Sequence, residues 1–306
     1  MQKFQMTVLG CGSAVPTSWH SPSGQLVQHH NRQFLIDCGE GTQMQMIRYK
    51  VKQTNLNHIF ISHLHGDHYF GLIGLMNTLH LMHREKPLHV FAPKDLYEII
   101  HTQLRLSETT LHYPFELHPL EDYKKGATLY ENEYMKVTLF PLKHSIAVWG
   151  FLFREKTMPP NIDKAFVKRY RPTIKQIHEI KSGADFTIPG GKLIKNEQIT
   201  IPAPLPRSFA YCSDTAWLES TAHFVKGVNL LYHESTFDNS REELANITLH
   251  STAAQAARVG LKSGAKKLLL GHYSARFKKD IEILQQEARE IFPESYLSNE
   301  GETYDI

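Results

Sequence analysis

The sequence predicts an α/β fold built in layers, and three observations lead to this prediction. Short apolar runs typical of buried strands alternate with helical patterns along most of the chain. Several of these runs end close to a histidine or an aspartate, and open α/β sheets place their sites at strand ends. No apolar run approaches the roughly 20 residues that a membrane-spanning helix needs. We therefore expect a globular α/β protein without a membrane span.

The predicted elements alternate between strands and helices from the start of the chain. The predicted strands are Phe4–Leu9, Gln33–Asp37, His58–Ser62, Leu88–Ala92, Val137–Leu142, Trp149–Phe153, Ser208–Cys212, Asn229–His233 and Lys267–Leu270. The predicted helices lie around Gln43–Tyr49, His68–Met82 and Asp280–Ile291, with another after Pro93, where proline suits a first turn. Together they predict one domain that spans residues 1–306.

The composition limits the compartment and the redox chemistry. The first ten residues lack the basic and then apolar layout of a signal peptide. Cys11, Cys38 and Cys212 are too few and too scattered for a disulfide framework or a thiolate zinc site. We expect all three to be reduced and buried in a cytoplasmic protein.

One stretch departs from the alternating pattern. Prolines and glycines cluster between Lys156 and Lys195, and this stretch contains nine Lys and Arg against three Asp and Glu, a net charge of +6. The whole chain carries +3, so the remainder carries −3. One interpretation is a flexible, solvated linker. The alternative, which we favour, is an inserted arm over residues 156–205 that binds phosphates, because clustered Lys and Arg suit a polyanionic partner.

The strongest chemical signal is an HxHxDH motif that follows the strand ending at Ser62. In extended backbone, residues two apart point the same way, so His63 and His65 can reach one metal ion together. The turn at Gly66 then lets Asp67 and His68 face a second ion. Imidazole and carboxylate ligands suit Zn²⁺, although Mn²⁺ or Fe²⁺ can occupy similar ligands. The motif predicts part of a two-metal site.

The other ligands must come from further along the chain. Three candidates, His144, Asp214 and His272, each follow a predicted strand. Taken singly, each of them also fits an ordinary loop residue. Taken together, they have the residue types and the strand-end positions that a metal site requires. Asp214 could bridge the two ions.

Flanking motifs carry a resemblance to a known family over nearly the whole chain. Leu9–Thr17 matches the opening strand and loop of that family, and Asp37–Gln43 reads as its DCGEGTQ signature. His233–Phe237 resembles its HEAT loop, His250–Thr252 its HST loop and His272–Phe277 its last metal motif. With these motifs the chain resembles the ribonuclease Z branch of the metallo-β-lactamase superfamily.

The resemblance implies a four-layer αββα sandwich with two Zn²⁺ ions. His63, His65 and His144 would hold one ion and Asp67, His68 and His272 the other, with Asp214 between them. Asp67 would also be the proton acceptor. His250 could contact the phosphate or protonate the leaving group, and Glu234 could orient or recharge His250. Without the resemblance, hydrogen bonding within loops would explain Glu234 and His250 slightly better.

The resemblance also implies a substrate and an assembly. The substrate would be precursor tRNA, hydrolysed at its 3′ end to remove the trailer, and the enzyme would be a homodimer. No DNA partner and no membrane are expected. The chain has Trp19 and His20 where the family usually carries an arginine, and Arg171-Pro172 where the bacterial arm usually carries a Gly-Pro pair. These departures concern how the substrate is gripped and leave the predicted metal centre unchanged.

Three alternative functions fit the same fold. A small-molecule phosphodiesterase, esterase or lactonase would share the metal ligands but would not need the basic arm. An oxygen-reducing di-iron protein would carry glutamate at position 65, and the chain has a histidine there. A non-catalytic partner subunit should have lost ligands, and none is missing from the predicted set.

Overall fold

The structure is a computed structural model that describes residues 3–188, 190–278 and 280–306. Its elements up to residue 155 are β1 (Phe4–Gly10), β2 (Gly12–Ser13), β3 (Gly24–His29), β4 (Arg32–Ile36), α1 (Thr42–Arg48), β5 (Leu56–Phe60), α2 (Gly66–Tyr69), α3 (Leu72–Leu81), β6 (Leu88–Ala92), α4 (Leu96–Leu106), β7 (Phe115–Pro119), β8 (Thr128–Glu131), β9 (Met135–Pro141) and β10 (Trp149–Glu155). Next come β11 (Asn161–Ile162), α5 (Lys164–Tyr170), α6 (Ile174–Lys181), β12 (Phe186–Thr187), β13 (Leu193–Ile194) and β14 (Thr200–Ile201). The remaining elements are β15 (Ser208–Cys212), α7 (Glu219–Phe224), β16 (Leu230–Glu234), α8 (Glu242–Thr248), α9 (Ala253–Ser263), β17 (Leu268–Gly271), β18 (Tyr273–Ser274), α10 (Glu282–Ile291), β19 (Ser295–Leu297) and β20 (Thr303–Asp305).

Two seven-stranded sheets organise the fold. The first has the strand order β20-β1-β3-β4-β5-β6-β7, and the second has the order β19-β17-β16-β15-β10-β9-β8. Strands β4 to β7 are parallel in the first sheet, and β15, β16, β17 and β19 are parallel in the second. Parallel strands end at the same edge of a sheet, so the loops that follow them lie together. The two sheets and their helices confirm the predicted α/β class and agree with a four-layer sandwich.

Side chains of opposite faces of the first sheet form different contacts. On one face, Leu35, Ile59 and Val90 are buried in a cluster with apolar residues of α1, α3 and α4. On the other face, aromatic rings reach the second sheet. The Phe34 and Phe153 ring centroids are 5.7 Å apart, and those of Phe60 and Phe151 are 5.3 Å apart. Burial of large aromatic surfaces between the sheets fixes how they stack.

The prediction of one helix from His68 to Met82 is wrong in one respect, because the structure has two helices there, α2 and α3. The backbone N–H of Gly71 donates to the carbonyl of Cys38 at 2.9 Å, so it is withdrawn from the helical bond to Asp67. A Cβ added at Gly71 would lie 2.2 Å from the carbonyl oxygen of Gly39. The close approach of the loop after β4 therefore interrupts the helix, and it fixes that loop against the metal motif.

The chain divides into two compact units. One comprises the chain up to Tyr130, Val137–Phe153 and Ser208–Ile306, and the other comprises Glu131–Lys136 and Arg154–Arg207. The second unit contains the segment predicted to be an inserted arm. It has its own small core, formed by Phe166, Ile180, Phe186 and Ile199.

Local capping explains why the second unit forms helices despite its prolines and glycines. The side chain of Asp163 accepts from the Phe166 N–H at 2.9 Å and begins α5. Thr173 and Gln176 form a reciprocal capping box that begins α6. With its own core and capped helices, the segment is a folded unit and not an unstructured linker.

The other sequence-based expectations have clear outcomes. Every predicted strand is present, with boundaries that agree to within two residues, and the three cysteines are free and buried as expected. Five strands of the two large sheets were not predicted, namely β3, β7, β8, β19 and β20. Within the described residues, no helix is long and apolar enough to cross a membrane.

Candidate metal centre

All seven predicted ligands lie at the carboxyl ends of strands in the two large sheets or just beyond them. His63, His65, Asp67 and His68 follow β5, and His144 follows β9. Asp214 follows β15, and His272 comes directly after β17. The seven side chains fall into two groups whose ligand atoms are close enough to hold one ion each. The first contains His63, His65, His144 and Asp214, and the second contains Asp67, His68 and His272.

In the first group, three imidazole nitrogens face one another. Nδ1 of His65 lies 3.1 Å from Nε2 of His63 and 3.2 Å from Nε2 of His144. One proton on Nδ1 could satisfy both neighbours only through a shared, bent hydrogen bond. A cation placed among the three nitrogens would satisfy all of them at once.

The second group has the same spacing. Nε2 of His68 lies 3.3 Å from Nε2 of His272, and both nitrogens lie 3.4 Å from Oδ2 of Asp67. Asp67 is held in place from the other side, because the backbone N–H of Ala14 donates to the same oxygen at 2.8 Å.

Asp214 lies between the two groups and offers one carboxylate oxygen to each. Its Oδ1 is 3.3 Å from Nε2 of His68 and 3.1 Å from Nε2 of His272. Its Oδ2 is 3.6 Å from Nε2 of His63 and 3.9 Å from Nε2 of His144. Each of its two oxygens therefore faces a different group of histidines.

The donor set fits first-row divalent metal ions. Ligand atoms about 2.1 Å from a tetrahedral ion lie about 3.4 Å from one another. The distances described above for pairs in both groups are 3.1 to 3.9 Å, which brackets that value. Neutral imidazoles and carboxylates are ligands of zinc and its neighbours, whereas calcium and magnesium prefer sites made only of oxygen.

Burial and charge determine the protonation of these side chains. Burial lowers the pKa of His63 to about 4, with the neighbouring His68 as a further cause, so its imidazole is neutral and able to ligate at neutral pH. Burial alone would raise the pKa of Asp214, but the surrounding histidines, led by His272, hold it well below its ordinary value. Asp214 is therefore an ionised carboxylate at neutral pH.

Outside the ligands, Asp37 orients the HxHxDH motif. Its Oδ2 accepts from Nδ1 of His68 at 2.7 Å, from the Ser62 hydroxyl at 2.9 Å and from the Tyr211 hydroxyl at 2.8 Å. Its Oδ1 accepts from the Ser62 N–H at 2.7 Å. A carboxylate behind a ligating histidine fixes the ring tautomer and increases the basicity of the ligand.

Two other ligands are oriented in a similar way. Nδ1 of His144 lies 3.0 Å from the carbonyl oxygen of Leu249, and Nδ1 of His272 lies 2.9 Å from the hydroxyl of Thr236. In each case the hydrogen bond leaves Nε2 free for an ion. Asp37, Leu249 and His272 all have positive φ angles, of 56°, 56° and 60°. The left-handed φ of Leu249 is that of the residue that ends α8, whereas Asp37 and His272 adopt it in the loops that carry the site.

Glu234 is buried beside the two groups of candidate ligands and pairs with His250, which is partly exposed. Oε1 of Glu234 lies 2.9 Å from Nδ1 of His250, and the same oxygen accepts from the N–H groups of Thr215 and Ser251. Burial would lower the pKa of His250, but the charge of Glu234 raises it to about 9. Glu234 thus makes the hydrogen bonds within loops that the sequence alone would explain, and it also orients His250.

A cavity of about 650 Å³ opens over the two groups of candidate ligands. Its polar wall includes His65, Asp67, Asp214 and His250, and its apolar wall includes Phe70, Ile247 and Leu249. The Phe70 side chain is 61% exposed, and Ile247 is 71% exposed. The cavity therefore combines candidate metal ligands and His250 with apolar surface at its opening.

Sequence reasoning did not identify the supporting residues. Asp37 belongs to the DCGEGTQ motif, but the motif alone does not indicate its supporting role, and the sequence does not indicate the roles of Ser62, Thr236 and Tyr211. An aspartate directly after a buried strand and before a glycine-containing loop was the available signal for Asp37. Tyr211 gave no signal, because its hydroxyl meets Asp37 only through contact between residues 174 positions apart.

Comparisons with known proteins agree with the geometry. The chain matches the family model described as Anti-Pycsar protein Apyc1 over residues 4–292. It is 44% identical over 301 residues to the ribonuclease Z of Bacteroides fragilis strain YCH46, with 98% of both chains covered. It is 40% identical over 306 residues to the ribonuclease Z of Porphyromonas gingivalis strain W83, with both chains fully covered.

Solved structures show the same fold at lower sequence identity. The short form of human tRNase Z superposes with a TM-score of 0.72 at 23% identity, covering 99% of both chains. The metallo-β-lactamase fold protein YhfI of Bacillus subtilis superposes with a TM-score of 0.70 at 18% identity, covering both chains fully. These similarities confirm the predicted metallo-β-lactamase fold.

The contacts of Asp37 give a test of the support behind the metal ligands. Asp37→Asn would turn an amide NH₂ toward donors, and we expect it to weaken metal binding by about 10- to 100-fold. Competition with a chromogenic chelator measures this affinity. Tyr211→Phe removes one donor and keeps the carboxylate, so it should cost much less. Equal affinity in Asp37→Asn and the unchanged protein would contradict the role given to Asp37.

Proposed function

The chain belongs to the ribonuclease Z family, and to the family that the Apyc1 model describes, and on this basis we propose how its residues carry out the reaction. The chain is a metal-dependent endoribonuclease that processes the 3′ end of tRNA precursors. The proposal concerns the number and identity of its metal ions, the residues that move protons, and the surface that binds RNA.

The proposed centre holds two Zn²⁺ ions, one in each group of ligands. His63, His65 and His144 hold one ion, Asp67, His68 and His272 hold the other, and Asp214 bridges them. The observation that carries this proposal is the position of Asp214, whose two oxygens face different groups. When bound, two such ions lower the pKa of water and stabilise the oxygens of an in-line phosphoryl displacement.

Asp67 is the proposed proton acceptor. Its Oδ2 is fixed by Ala14 and lies beside His68 and His272, while the residue lines the cavity in which a phosphodiester would sit. A carboxylate in this position can orient the attacking water and accept its proton.

His250 is the proposed donor to the leaving 3′ oxygen. Its Nδ1 is occupied by Glu234 at 2.9 Å, so proton exchange with substrate falls to the other ring nitrogen. His250 lines the cavity together with Asp214, and its side chain is 14% exposed. Glu234 is fully buried and acts by positioning His250.

The exposed apolar wall suits a nucleic-acid chain. The Phe70 ring packs against Gly66, where an added Cβ would lie 2.2 Å from the ring. One nucleobase beside the scissile phosphate can stack on such a ring, because stacking on aromatic side chains is how single-stranded RNA is commonly held.

The second unit is the proposed exosite for the folded part of tRNA. It contains the +6 segment, and Lys164, Lys168 and Arg169 on α5 are all exposed. A folded, basic surface is suited to the phosphates of a structured RNA. We also propose that the enzyme is a homodimer and is located in the cytoplasm, and both proposals rest on the similarity to the family.

The first test concerns the metal count and the reaction. We expect two Zn²⁺ per chain in an active preparation by elemental analysis, and a single cut near the 3′ end of a 3′-extended tRNA precursor. His65→Ala should abolish cleavage while circular dichroism shows the fold retained. One ion per chain in a fully active enzyme would contradict the two-metal proposal.

The second test separates proton transfer from metal binding. His250→Ala should slow cleavage by about 10²- to 10⁴-fold, the range for a lost acid–base group, while the metal content stays the same. His250 also lies within ligand reach of Asp214 and His272, so metal analysis is the decisive measurement. Loss of an ion from this variant would make His250 a ligand.

Two substitutions test the positioning role of Glu234. Glu234→Ala should slow cleavage to a similar extent and keep both ions, but it also leaves the N–H groups of Thr215, Thr236 and Ser251 without their acceptor. Glu234→Gln preserves the shape of the side chain and is the conservative control. Metal loss in Glu234→Gln would contradict the positioning role.

The third test concerns the arm. Lys164→Gln, Lys168→Gln and Arg169→Gln together should raise KM for precursor tRNA and reduce the slope of log affinity against log salt, by about one for each lost phosphate contact. Hydrolysis of bis(p-nitrophenyl) phosphate should be unchanged. The matched control replaces three exposed lysines outside the arm, Lys94, Lys226 and Lys266, with glutamine. Unchanged tRNA binding would favour a small-molecule hydrolase.

A further inference from the structure

A second cluster of potential metal ligands lies at the β7 edge of the first sheet. His89 on β6 and Glu116 and His118 on β7 have ligand atoms close enough to hold one ion, and none of them belongs to the catalytic groups. His89 stands opposite Glu116 in the strand register, and His118 lies two residues further along β7, on the same face.

The distances repeat a feature of the catalytic centre. Nδ1 of His89 lies 3.2 Å from Nε2 of His118 and 3.1 Å from Oε2 of Glu116. One ring nitrogen therefore faces two other ligand atoms, as Nδ1 of His65 does in the first catalytic group. A single proton on Nδ1 of His89 could bond to both Nε2 of His118 and Oε2 of Glu116 only through a shared hydrogen bond. A divalent cation could bind all three atoms directly.

Both imidazoles are held by neighbouring rings. The His89 ring stacks on the His58 ring, with centroids 5.2 Å apart and planes at 16°. The His118 ring stacks on the Phe91 ring, with centroids 4.5 Å apart and planes at 17°. Ligands on paired strands with stacked rings lose little conformational freedom on binding, which favours a preformed site.

We propose that His89, Glu116 and His118 form an additional binding site for a divalent transition-metal ion such as Zn²⁺. Two imidazoles and one carboxylate are a donor set for zinc, nickel or copper, and a poor one for calcium or magnesium. The carboxylate of Glu116 supplies the negative charge that offsets the cation. Water would complete the coordination, because the His89 and Glu116 side chains are 31% and 47% exposed.

The site would stabilise the end of the sheet. Within the described part of the chain, β7 stands at the end of the first sheet and pairs with β6, so it is an edge strand. An ion bound to His89 and to both β7 ligands would link the two strands through side chains, in addition to their backbone hydrogen bonds. Bound metal stabilises the folded state by an amount that grows with the logarithm of the free metal concentration above the Kd, because the unfolded chain does not hold the three ligands together.

The experiment uses the full-length enzyme with its catalytic centre loaded with Zn²⁺ and loosely bound ions removed. Equilibrium dialysis against micromolar Zn²⁺ should then show one additional ion per chain, with a dose-dependent rise in Tm. His118→Gln and the exposed Glu116→Gln should each weaken this uptake by at least about 10-fold, the loss expected when one ligand of three is removed. Both variants should cleave precursor tRNA at the unchanged rate, which shows that their fold and catalytic ions are intact.

A control variant and a spectroscopic measurement make the result specific. His80→Gln alters a separate pair of stacked histidines, His80 and His112, and should keep the additional ion. Cu²⁺ added in less than equimolar amount to the Zn²⁺-loaded enzyme should show hyperfine coupling to two imidazole nitrogens, reduced to one in His118→Gln. Absence of the additional ion, its loss in His80→Gln, or equal uptake by His118→Gln and the unchanged enzyme would overturn the proposal.

Discussion

The carboxylate of Asp214 lies between two groups of imidazoles, and it is almost completely buried. A buried, unpaired carboxylate costs several kcal/mol, on the order of the desolvation penalty of one ion. Four histidine nitrogens face its two oxygens and offset that cost. Because those histidines come from three separate loops, the charge of Asp214 holds together the ends of strands from both sheets. The positions of the other site residues depend on this contact.

The arrangement demands close backbone packing around the metal motif. A Cβ at Gly39 would lie 2.3 Å from the carbonyl oxygen of Asp67, and one at Gly71 would lie 2.2 Å from the carbonyl oxygen of Gly39. The loop after β4 therefore lies directly against α2, where Asp37 reaches His68. The break between α2 and α3 has the same origin, because Gly71 bonds to Cys38 instead of continuing a helix. Close backbone contact of this kind therefore surrounds the HxHxDH motif.

The two clusters of candidate metal ligands show how far local sequence can reveal a site. In the catalytic centre, four ligands lie within six positions, so the motif itself predicts chemistry. At the sheet edge, His89 is separated from Glu116 by 27 positions, and Glu116 and His118 alone look like ordinary residues of an exposed strand. Only the pairing of β6 with β7 brings them together. The strand β7 was itself not predicted, because its pattern of partly buried and exposed residues lacks a continuous apolar run.

The sequence by itself determined the α/β class, the strands that end at the site, the seven candidate ligands and the basic segment. Hydrophobic periodicity and the spacing of ligand types are local properties, and local properties can be read along a chain. Tertiary structure alone decided which oxygen of Asp214 faces which histidines, that Tyr211 supports Asp37, and that the basic segment folds around Phe166 and Ile180. These contacts join residues far apart in sequence. They depend on how sheets, loops and helices pack, and no local pattern encodes that packing.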